Sequence, residues 1–105
     1  MARLTVLDAH RAACYPDAFK IDPVSGGIKL SLAPGVFGGW ICLSNILANA
    51  HAQAIDSGGR LEVSGSRFLR AVSRTILKSV GAVRVSGASD SGTDVYRTSR
   101  PGRLA

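Results

Sequence analysis

The chain reads as an α/β fold, a small two-layer sandwich, and three observations predict it. Short segments with the two-residue period of strands alternate with longer segments of helical period. The joints between them are short and glycine-marked, as at Gly58-Gly59 and Gly81. The 105 residues are 46% apolar, which suits one modest core. The expected order is strand-helix-strand-helix-strand-helix-strand. Residues 1–88 are expected to form a single α/β domain, and 89–105 a polar, partly flexible C-terminal tail.

Residues 4–7 (Leu-Thr-Val-Leu) are β-rich and predict a first strand. Asp8 is a candidate N-cap for a short helix over 9–14, which Pro16 stops or kinks. Residues 22–27, Asp22-Pro23-Val24-Ser25-Gly26-Gly27, have turn chemistry throughout. Residues 28–32 alternate apolar and polar, the pattern of a half-buried strand.

Residues 40–55 predict the principal helix. Leu43, Ile46, Leu47, Ala50 and Ala54 gather on one face, and Asn45, Asn49 and Gln53 form a polar line on the other. Gly58-Gly59 supplies a left-handed helix end, and 61–63 follow as a strand. A second amphipathic helix spans 67–80, with Ser66 as its cap. Its expected buried face is Phe68, Leu69, Val72, Ile76 and Val80. Arg67, Arg70, Arg74 and Lys78 fall almost opposite, as a basic stripe. Gly81 ends this helix, 82–85 read as another strand, and Val95-Tyr96 add a marginal one.

Thirteen Lys and Arg against seven acids give a net charge of +6. That balance favours an acidic protein face, a phosphorylated ligand or nucleic acid as partner. No apolar run is long enough to cross a bilayer and none resembles a secretion signal, so a cytoplasmic protein without membrane contact is expected. Cys14 and Cys42 are then expected as reduced thiols. His10 and His51 are far apart in sequence, which argues against zinc. His10, in a short segment broken by Pro16, makes a poor phospho-acceptor, and His51 is expected on the helix surface.

The run Leu43-Ser-Asn45-Ile-Leu-Ala-Asn49-Ala50, ending in Gly58-Gly59-Arg-Leu-Glu-Val63, resembles the N-box of the histidine-kinase-type (GHKL) ATPases. The likeness covers about residues 28–64. It implies that Asn49 would hold the magnesium of Mg-ATP, with Asn45 and Gln53 beside the nucleotide. A neutral amide oxygen suits a hard cation without adding charge near phosphates. Two departures count against a working nucleotide site. The family's adenine-reading Asp-x-Gly-x-Gly turn is missing, Asp90-Ser-Gly92-Thr-Asp94 lacking its last glycine. No glycine-rich phosphate lid follows either.

The closer parallel is therefore a degenerate domain like those of the histidine phosphotransferases, which keep the fold and use it for docking. The order of elements is also similar to STAS regulatory domains, although Gly38-Gly39 stand where their phosphorylated Ser or Thr would be. No nucleophile elbow, Walker loop or paired carboxylates point to catalysis. The expectation is a non-catalytic regulatory module without a cofactor. It would bind an acidic protein partner through Arg67, Arg70, Arg74 and Lys78. A STAS-like binding domain and a nucleic-acid-binding protein are the alternatives.

Overall fold

The computed structural model of the chain describes residues 19–33, 40–87 and 92–99. Within them lie β1 (Phe19–Val24), β2 (Gly27–Leu32), α1 (Trp40–Asp56), β3 (Arg60–Ser64), α2 (Arg67–Ser79), β4 (Val83–Gly87) and β5 (Thr93–Arg97). The α/β class holds, but the order is strand-strand-helix-strand-helix-strand-strand instead of strict alternation. The strand and short helix expected over 4–14 lie outside the described residues.

The strands form one mixed sheet in the order β1-β2-β3-β5-β4. β2 and β3 pair in parallel through α1, and every other neighbouring pair is antiparallel. The crossovers β2-α1-β3 and β3-α2-β4 both advance across the sheet in the same direction. Right-handed crossovers then set both helices on one face, where α1 and α2 pack together. Ile28, Leu30 and Leu32 of β2 and Leu61 and Val63 of β3 are buried beneath them. Each such side chain stabilises the fold by about 1.5–3 kcal/mol. Leu43, Ile46, Leu47, Ala50 and Ala54 of α1 meet them from above, as their spacing predicts.

Two strands depart from the expectation. Residues 22–24 belong to β1, and the turn is confined to Ser25-Gly26, where Gly26 takes φ +80°. Pro23 has no amide proton, and β1 is an edge strand, the place in a sheet that tolerates that loss. Phe19 and Ile21 cover the flank of the core. At the other end, the sheet runs past the boundary expected at residue 88. β5 lies between β3 and β4, so Thr93–Arg97 is an inner strand and not part of a tail.

The Gly58-Gly59 turn has a steric role. Both residues have positive φ, and the Gly59 amide donates to Ala54 O at 2.7 Å to close α1. A Cβ on Gly58 would stand 2.6 Å from Gly26 O, and one on Gly27 would stand 1.8 Å from Arg60 O. The exit of α1 is thus clamped against the β1–β2 hairpin, with Arg60 N donating to Gly26 O at 3.0 Å. Cys42, in the first turns of α1, is buried and disulfide-bonded, not a reduced thiol. The chain's one other cysteine, Cys14, lies outside the described residues. No described helix is long and apolar enough to cross a membrane.

Candidate functional site

α2 begins as its sequence predicts: the Ser66 hydroxyl accepts from the Leu69 amide at 3.2 Å. Its buried face is rotated from the expected one. Leu69, Arg70, Ser73 and Leu77 are buried, Val72 and Ile76 partly so, and Phe68 is 67% exposed with Val80 also exposed. Ser73 can be buried because its hydroxyl donates to Leu69 O at 2.7 Å inside the helix. Arg70 can be buried because a carboxylate waits for it.

That carboxylate is Asp94 of β5, fully buried. Arg70 Nη1 lies 3.4 Å from Asp94 Oδ1 and Arg74 Nη2 lies 3.4 Å from Oδ2. Arg84 Nη1, from β4, approaches Oδ1 at 3.6 Å. Arg70 is 3% exposed, and its Nε also donates to Gly65 O at 3.1 Å. The side chains of Arg74 and Arg84 stay 45% and 37% exposed. A buried carboxylate is costly unless paired and hydrogen-bonded, and here two elements, α2 and β4, supply its counter-ions.

Asp94 and Tyr96 share the helix-facing side of β5, opposite Val63 and Leu61 of β3. The Tyr96 hydroxyl is buried without a hydrogen-bond partner. Desolvation, and then the charge of Asp94, raise its pKa above the usual phenol value; the Arg74 and Arg84 cations oppose that rise. Beside this phenol lies a cavity of about 320 Å³, lined by Arg74, Lys78, Ala82, Val83, Arg84 and Tyr96.

The four predicted cations therefore divide. Arg67 and Lys78 are exposed and Arg74 reaches from solvent to Asp94, whereas Arg70 is removed to the interior as a counter-ion. It is not available to an exposed stripe.

The α1 residues divide as well. Asn45 lines a cleft of about 400 Å³ between the helices with Ala48, Thr75, Ile76 and Val80, and its Nδ2 is buried without a partner. Asn49 is half-buried and Gln53 exposed, and neither lines that cleft. No charged side chain lines it among the described residues, so a nucleotide's phosphates would meet no cation there. His51, expected at the surface, is 8% exposed with Nε2 unpartnered, and burial lowers its pKa.

Asp94, Tyr96 and Arg84 are the residues that sequence reasoning missed. One signal was present. Asp is disfavoured in strands, and an Asp at the alternate position from Tyr96 in Asp94-Val-Tyr96 asks for a buried cation. No family model, curated protein or solved structure matches the chain.

Proposed function

We propose that this chain is a non-catalytic binding module that docks an acidic protein partner. The docking face is the outer side of α2, with Arg67, Arg74 and Lys78, continued onto β4 by Arg84. One observation carries the reading: three arginines converge on a single buried carboxylate, and two of them remain partly in solvent. Exposed Phe68 and Val83 add apolar surface at its two ends, and apolar groups set among cations favour a protein surface with acidic groups. Residues 28–64 resemble an ATPase N-box, and in this proposal they supply architecture, with no Mg-ATP held by Asn45, Asn49 or Gln53.

The test is titration of the full chain with an acidic, aromatic-free peptide across a salt series. Arg67→Glu with Lys78→Glu should weaken binding at least about tenfold and leave the melting temperature nearly unchanged, because both side chains are exposed. Undiminished binding by the doubly reversed protein rules the face out. A second reading, single-stranded nucleic acid, is favoured by exposed Phe68 beside Arg67. It predicts that an oligonucleotide binds more tightly than the peptide and that Phe68→Ala costs it about 1–3 kcal/mol of stacking.

A further inference from the structure

We infer that the cavity between the C-terminal half of α2 and β4 is a binding site for a ring-sized apolar group capped by an anion, either carboxylate or phosphate. The inference rests on the reading of this face as a recognition surface and deepens it. Three features of the cavity support it.

The first is charge. Three cations, Arg74, Lys78 and Arg84, line the cavity. Lys78 has no ion-pair partner among the described residues, and the Arg74 guanidinium meets Asp94 at 3.4 Å. Charge-assisted hydrogen bonds run at about 2.7–2.9 Å. Arg74 and Lys78 thus leave positive charge at the rim for an incoming anion.

The second is the floor. Tyr96 is 2% exposed, and its hydroxyl is buried with no partner. Leaving such a group unsatisfied costs about 1–3 kcal/mol. An anion in the cavity would give that O–H the acceptor it lacks. The ligand's charge would be met by the cations above, so the phenol is the specific contact and the cations the general one.

The third is size and wall chemistry. Ala82, Val83 and the Tyr96 ring make the walls largely apolar. An apolar cavity of about 150 Å³ holds a benzene ring, and this one, at about 320 Å³, has room for a ring and a head group. The body of the ligand is therefore apolar, which separates it from a bare inorganic ion. The group can come from a free small molecule or from a side chain of the docked partner.

The experiment compares benzoate, phenyl phosphate and inorganic phosphate as probes of the full chain, followed by side-chain and amide NMR shifts at Ala82 and Val83. Benzoate or phenyl phosphate should bind saturably, at least about tenfold more tightly than inorganic phosphate. Tyr96→Phe should weaken that binding about tenfold, in line with a hydrogen bond to a charged group, and Lys78→Gln about threefold. Tyr96→Phe removes only an unpartnered hydroxyl, so it folds and the comparison is valid. A second arm uses the acidic peptide with and without a C-terminal phenylalanine. A Tyr96-dependent gain from that phenylalanine assigns the site to a partner's side chain; benzoate binding as tightly as the peptide assigns it to a free small molecule. Absence of any Tyr96-dependent binding by benzoate, phenyl phosphate and the phenylalanine-ended peptide overturns the site. The face fails separately, if charge reversal at Arg67 and Lys78 leaves the aromatic-free peptide bound.

Discussion

The two helices lie side by side on one face of the sheet, yet they bury different chemistry. α1 sinks an aliphatic stripe, Leu43, Ile46, Leu47, Ala50 and Ala54, and the polar nitrogens it carries inward, Asn45 Nδ2 and His51 Nε2, find no partner. α2 sinks only Leu69 and Leu77 as fully buried apolar residues and adds Arg70 and Ser73, both hydrogen-bonded. α1 is therefore held by area removed from water, which is non-directional. α2 is held by area plus a network that fixes its rotation and its position over β5. The difference explains why three arginines gather on the α2 side: one buried carboxylate, Asp94, organises them.

The comparison breaks most readily at Asp94. Asp94→Asn removes the charge and keeps the shape, taking from buried Arg70 the carboxylate it pairs with. Breaking a buried pair in this way costs about 3–5 kcal/mol, measured as the loss in urea-unfolding free energy. Arg74→Gln touches the same carboxylate from a half-exposed position and should cost about 1 kcal/mol or less. Equal losses from the two substitutions would show that burial does not divide the cluster.

Much of this fold was legible in the sequence. The starts of both helices, the Ser66 cap and the strands within 28–32, 61–63 and 82–85 follow from periodicity and punctuation, which are local properties. The aliphatic face of α1 was equally clear, since a stripe of Leu, Ile and Ala has one reading. The face of α2 was not. Phe68 and Val80 weighed toward a rotation that hides them, while the true face includes a serine and an arginine that hydropathy cannot place inside. The partner that admits Arg70 stands 24 residues later, in a strand whose pairing no local pattern gives. The same gap hid the site: a basic stripe and a buried counter-ion have one periodicity, and only Asp94 separates them. β1 was missed because Asp22 and Pro23 mimic a turn, and edge position alone makes them tolerable in a strand.

A smaller effect tests where α1 gets its own positional precision. α1 lacks a buried charge network of this kind, and its register is set at its exit, where Gly27 and Gly58 bring backbones into contact. Gly27→Ala would place a methyl 1.8 Å from Arg60 O, forcing β2 and β3 apart at a loss of about 2–3 kcal/mol. Gly81→Ala, at the exit of α2, meets nothing within 4 Å and carries only the strain of φ +91°. That strain is worth about 1–2 kcal/mol. Thermal unfolding of the two variants should rank Gly27→Ala as the more damaging, and the opposite ranking would remove the steric account of the Gly-Gly corner.

The smallest effect concerns His51, and its sign follows from burial alone. Desolvation lowers the imidazole's pKa in the folded state below its ordinary value near 6.5, so the unfolded chain takes up the proton first. Above about pH 7 the group is neutral in both states and contributes no pH dependence. As pH falls below the unfolded value, protonation of the unfolded chain lowers stability, and the loss continues until the folded imidazole also charges. Chemical denaturation between pH 7.5 and 5 should therefore show a falling midpoint. His51→Leu, which replaces a buried ring whose Nε2 has no partner with an apolar side chain, should flatten that fall and leave stability at pH 7.5 equal or higher. If the variant keeps the full slope, other groups carry the pH dependence. If it instead loses stability at pH 7.5, then His51 Nε2 is answered in solution, and the contrast between an unanswered α1 and an answered α2 narrows to Asn45.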